Sequence, residues 1–163
     1  MKNTTPHWIT IAILFAVITG IGIKFFILGS TVRVADERTA VLLEEGERQL
    51  VLEEMRGLLE ATQQVIEGLS SSDMKQIEQA ATAVGMQATS TMDVTLKAKL
   101  PMEFKKLGFA THTAFDEIAA MAKKTGDAKL IQKKLADTMN NCIACHAGFQ
   151  IPSIISKGET YDN

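Results

Sequence analysis

Near one end of the chain stand two thiols three positions apart, and directly after the second an imidazole: Cys142-Ile143-Ala144-Cys145-His146. On a helix, positions three and four apart share a face, so Cys142, Cys145 and His146 turn together toward one flat object. Cys-x-x-Cys-His is the spacing of covalent haem c attachment, in which the thiols form thioethers with the vinyl groups and the imidazole binds the iron. These are the only two cysteines, so no disulfide framework defines the fold. A redox-active Cys142–Cys145 pair belongs in a strand–helix–strand setting, and no such pattern surrounds it. Structural zinc takes four ligands as a rule, and a second Cys/His pair is missing. The motif predicts one haem c with its iron, attached through Cys142 and Cys145, with His146 as the lower axial ligand.

At the other end, Trp8 to Leu28 reads WITIAILFAVITGIGIKFFIL, 21 residues broken only by Lys24. At 1.5 Å per residue such a helix spans roughly 31 Å, about one bilayer core. Trp8 suits one interface, and the Lys24 amine can snorkel to the other. A cleaved signal peptide has a shorter apolar run, of about 7–15 residues, and a small-x-small cleavage site. Ser30 and Ala35 are the candidate cleavage residues, but Leu28 and Arg33 are poor partners before them. Residues 1–30 are therefore expected to be a retained transmembrane anchor, and residues 31–163 a separate domain. Lys2, Arg33 and Arg38 orient the anchor only weakly. Haem c is fitted outside the bacterial cytoplasmic membrane, which places the second domain in the periplasm and the anchor in the inner membrane.

Between anchor and motif the apolar residues recur with helical period. A first helix is expected over about 36–69, with Leu52, Met55, Leu59, Thr62, Ile66 and Leu69 on one stripe. Ser70 to Asp73 supply cap chemistry for a second, striped by Met74, Ile77, Ala81, Val84 and Ala88. The stretch Ser90 to Leu100 reads as a longer connection. Pro101 suits the first turn of a third helix, with Phe104, Thr111, Phe115, Ile118 and Ala122 inward. Gly126-Asp127 stops it and caps a fourth, striped by Ile131, Leu135, Thr138, Cys142, Cys145 and Phe149. No alternating strand pattern appears. The expected fold is all-α, an antiparallel four-helix bundle preceded by one transmembrane helix, with the haem between the first, third and fourth bundle helices.

A haem motif on the last of four helices resembles the class II cytochromes c, the cytochrome c-prime family, over about residues 38–149. The matching features are Arg48-Gln49, Gly68 with Asp73, Leu100-Pro101 with Phe104, Gly126-Asp127, and CIACH with Phe149. Gln150 stands where the family often has a basic residue. The resemblance implies that the first bundle helix supplies the sixth iron position. A Met there gives a low-spin electron carrier, and an apolar residue leaves the iron open to small gases. Counting from Arg48-Gln49, the family's position falls on Leu52, which cannot bind iron. Met55 stands one turn later on the same face. Both remain candidates, Met55 as ligand and Leu52 as guard of an open site. The resemblance also implies homodimers formed through the first two bundle helices.

Among other residues, His112 sits on the third helix and reads more readily as a hydrogen-bonded buried histidine than as a ligand. Arg48 and Arg56 are candidates to pair with haem propionates, or with neighbouring glutamates. A net charge of −2 gives no footprint for nucleic acid. No residue set resembles an enzyme site, so an enzyme is not expected. The leading expectation is a membrane-tethered mono-haem cytochrome passing single electrons between periplasmic or membrane redox partners. The alternatives are a five-coordinate gas-binding cytochrome c-prime, for NO or CO, and an accessory haem subunit of a membrane redox complex. In the last case Gly20 and Gly22 would pack the anchor against a partner helix.

Overall fold

The computed structural model describes residues 5–153, so Lys2 and the polar tail from Ser156 lie outside the described residues. The chain is mostly helical, with six α-helices among the described residues: α1 (Thr5–Ile23), α2 (Glu45–Ser71), α3 (Met74–Ala83), α4 (Val94–Lys99), α5 (Met102–Lys124) and α6 (Ala128–Gly148). Three short strands join them, β1 (Thr31–Arg33), β2 (Thr39–Val41) and β3 (Phe149–Gln150).

The apolar N-terminal run forms α1 and continues as one wider turn over Lys24–Leu28. From His7 to Leu28 it is long and apolar enough to cross a membrane, and none of it is buried against the rest of the chain. Lys24 turns its amine toward the domain and donates to the Gly29 carbonyl at 2.8 Å.

The first long helix starts later than its periodicity suggests. Residues 31–41 form a hairpin instead, with Thr31 opposite Val41 and Arg33 opposite Thr39. Its turn is held by Asp36, whose carboxylate accepts from the Arg38 backbone and guanidinium at 3.2 and 2.7 Å. Glu37 takes a positive φ there. β3 then adds to the far edge of β2 in parallel, Thr39 beside Phe149. Strands of two or three residues are too short to show alternation, which is why none was visible in the sequence.

The cap residues behave as local chemistry dictates. The Glu47 carboxylate accepts from the Glu44 N–H at the start of α2. Asp73 accepts from Gln76 N–H at 2.9 Å, and Asp127 from Lys129 and Leu130 N–H at 3.0 and 3.1 Å. At Gly68 a Cβ would lie 2.6 Å from Ile77 Cγ1, so only glycine lets α3 come this close to α2. The expected loop at 90–100 is itself ordered, as a 3₁₀ turn (Met86–Thr91) and then α4, capped by Asp93 on Thr95 N–H.

α2 packs on α3, α3 on α5, α5 on α6, and α6 more lightly back on α2. Two apolar cores result. One, around Val65, Ile77, Phe115, Ile118 and Ile131, joins these helices near the α2–α3 and α5–α6 turns. The other, around Val41, Leu43, Val51, Leu96, Leu100 and Phe104, joins the small sheet to α4 and the start of α5. Burying side chains of this size stabilises by about 1.5–3 kcal/mol each.

Candidate functional site

Where α2 and α6 part company, a cavity of about 430 Å³ opens between α2, α5 and α6. That volume is in the usual range for a small-molecule or cofactor site. Val51 and Phe104 of one core and Phe115 and Leu135 of the other border it, so it lies between the two cores.

The expected attachment and ligand residues all lie on its wall: Leu52 and Met55 from α2, and Cys142, Cys145 and His146 from α6. Met55 is half-buried and packs against the same core as Cys145 and Phe149. Leu52 lines the cavity one turn earlier. His146 occupies the last turn of α6, where the negative end of the helix dipole favours a cation or an electron-poor partner.

The wall is largely apolar, with Leu58 and Leu59 from α2, Leu107 from α5, and Met139 and Ile143 from α6. Three threonines also face it, yet their hydroxyls are committed to their own helices. Thr62 donates to the Leu58 carbonyl at 2.8 Å, Thr111 to Leu107 at 2.8 Å and Thr138 to Lys134 at 2.7 Å. What they offer the cavity is their carbon. Periodicity did not single out Met139 or Leu107 as wall residues, because helix rotation decides which flank of a stripe meets a gap.

His112 is buried on the wall and has both ring nitrogens engaged. Nδ1 lies 2.8 Å from the Val84 carbonyl and Nε2 lies 3.2 Å from Glu54 Oε1. Burial alone would lower its pKa; the bonds to Glu54 and Val84, with the charges of Glu54 and Asp116, outweigh it and hold the imidazole above its ordinary value. A ring so engaged has no lone pair to give a metal.

The two arginines separate. Arg48 donates to the Ile151 carbonyl at 3.3 Å and pairs loosely with Glu45 at 3.5 Å. Arg56 stands exposed at the cavity wall and makes no ion pair among the described residues. Arg38 donates to the Gln150 side chain at 2.9 Å, bringing a guanidinium beside the residue that follows Phe149.

Burial pushes the Cys142 thiol up, and burial together with the neighbouring Cys142 pushes Cys145 up to about 11. Among the described residues no group of three or more His, Cys, Asp or Glu side chains is placed to hold a metal ion by itself.

Comparison with protein-family models, with curated proteins and with solved structures finds no match.

Proposed function

We propose that residues 31–163 are a four-helix-bundle haem c domain of the cytochrome c-prime type, held at a membrane by residues 1–30, and that the protein carries single electrons between redox partners. One observation carries the reading. Cys142, Cys145 and His146 share the wall of a single apolar cavity with Met55 from the opposite helix. The donor set suits a porphyrin, whose own nitrogens fill four iron positions and leave one or two to the protein. A three-residue metal cluster is not needed for that.

Bound there, haem c supplies a ferric–ferrous couple. Cys142 and Cys145, a turn apart on α6, would hold the ring by thioether bonds, with His146 of α6 and Met55 of α2 as the residues that would bind its iron. Met with His raises a reduction potential relative to a pair of histidines. The apolar wall would keep water from the bound group, and Arg56, on the same wall, would pair with a propionate through its forked donors. The anchor confines the domain to the plane of a membrane, raising its effective concentration near membrane-bound donors and acceptors.

The second reading rests on Leu52, which lines the same cavity one turn before Met55. On this reading Leu52, which cannot ligate iron, would leave the bound group open to NO or CO.

The absorption spectrum of the ferrous protein, before and after CO, separates the two. The carrier shows sharp low-spin bands that CO does not move and that Met55→Ala abolishes. A broad high-spin spectrum shifted by CO overturns it in favour of the gas-binding protein. A chain matured in a host competent for haem c attachment, yet carrying no covalent haem, sinks both.

A further inference from the structure

The junction between the apolar helix and the domain is not a loose linker. Phe26 and Leu28 lie in the last turn of the candidate span, and by Ser30 the chain is already bonded to the domain. Ser30 N–H donates to the Lys99 carbonyl at 2.7 Å, and Leu42 N–H returns to the Ser30 carbonyl at 2.8 Å. Gly29, at φ +66°, lies so close to Leu100 and Pro101 that a Cβ would stand 2.7 Å from Pro101 N. The start of α5 is therefore held at the level where the span ends.

One contact marks that level. Lys105 Nζ donates to the Phe26 carbonyl at 3.1 Å. Met102, Lys105, Lys106 and Phe109 share a face of α5 by the three-and-four rule. Lys97, Lys105 and Phe109 also line one shallow recess of about 50 Å³. Phe109 is 40 % exposed and the Lys106 side chain 64 %. The acids nearby are Asp93, one turn before Lys97, Glu103, which pairs with Lys106 at 2.7 Å, and Glu54, which shares the recess and faces His112. With Lys24, the patch keeps a positive balance. Long basic side chains interleaved with an exposed aromatic, at the depth where a span leaves the bilayer, match the chemistry of phospholipid headgroups.

We propose that the face formed by Lys97, Lys105, Lys106 and Phe109 rests on anionic phospholipid headgroups and holds the domain in one orientation on the membrane. This rests on the reading of residues 1–30 as a membrane anchor. It is independent of what fills the cavity. A domain held this way presents one fixed side to the bilayer.

The test is lysine footprinting of the full chain in lipid nanodiscs. A water-soluble N-hydroxysuccinimide ester is reacted with discs of phosphatidylglycerol and phosphatidylcholine in equal parts, and with discs of phosphatidylcholine alone. Modification is read by mass spectrometry against Lys123 and Lys133, whose side chains are 72 % and 71 % exposed. The expected result is about fivefold slower modification of Lys97 and Lys106 in the anionic discs. The double variant Lys97→Glu with Phe109→Ser should return Lys106 to its rate in neutral discs. Equal rates in the two lipids, or protection that survives the double variant, overturn the proposal. A chain that floats with the discs but labels identically in both refutes the headgroup face alone. A chain that fails to float with either refutes the anchor and this face together.

Discussion

The ring of Phe104, at the start of α5, receives the ring of Phe149 edge-on, with centroids 5.5 Å apart and planes at 83°. Phe149 is the residue on which α6 ends, and its N–H caps the Cys145 carbonyl. The pair thus clamps the last turn of the motif helix to α5, and with it the direction in which His146 points.

Phe149→Ala should therefore destabilise the domain by about 3 kcal/mol, most of it from lost packing and about 1 kcal/mol from the ring pair. Chemical denaturation of the variant measures this. Phe149→Leu, which keeps the volume, should recover most of the packing and leave only the edge-to-face share missing.

Arg56 faces the cavity without an ion-pair partner among the described residues. If it pairs with a propionate as proposed, Arg56→Gln removes a positive charge that favours the ferrous state. The midpoint potential should fall by tens of millivolts, on the order expected for a charge about 10 Å away at intermediate dielectric. Redox titration reads it, and a potential that does not move places Arg56 away from the iron.

His112 makes stability depend on pH. Its pKa is raised in the folded chain above the ordinary 6.5, so the folded state binds its proton more tightly than the unfolded one. The contribution is whole below about pH 6.5 and is lost as pH climbs through the folded value. Glu54 from α2 and Asp116 from its own helix favour the proton, and Lys97 and Lys105 are the cations that share the recess beside it. Thermal unfolding of the wild type should lose stability from neutral pH upward. His112→Gln should flatten that slope while lowering stability at pH 6 by about 1–3 kcal/mol, because Glu54 or the Val84 carbonyl is left under-bonded.

Gly29→Ala places a Cβ against the Lys99 carbonyl and the Pro101 nitrogen, at a φ that side chains disfavour. The cost, roughly 1–3 kcal/mol, falls on the joint between α1 and the domain. Limited proteolysis in detergent should cut faster between residues 28 and 34, while the thermal midpoint of the helical domain moves little. Unaltered cleavage would show that the joint tolerates the change.

The parts of this structure visible in the sequence are those decided within a few residues. Asp73, Gly126 and Asp127 end and begin helices through bonds to their own neighbours, and the apolar run His7–Leu28 admits no other geometry. What escaped depends on distant chain. Residues 36–44 fall within the stretch expected as the first helix, yet Thr39–Val41 becomes a strand because Thr31–Arg33 and Phe149–Gln150 pair with it from both sides. Val94–Lys99 becomes a helix inside an expected connection because Leu96 and Leu100 fill the second core. At the cavity, Met55 and Cys145 were legible as stripe positions. The place of Arg56 and Met139 on the wall follows from how far each helix is turned about its axis, which no periodicity reports.

β2 also bears on the order in which the domain is put together. One of its edges is covered by β1, its immediate neighbour, but the other waits for β3; Arg38 and its partner Gln150 are 112 positions apart. While the intervening helices are being made, that edge stands bare and Phe104 lacks its ring partner. The seam closes only after the stretch containing Cys142 and Cys145 has arrived. Any covalent modification of those thiols thus has a natural window, before the clasp shuts, in which the motif is reached on an open chain.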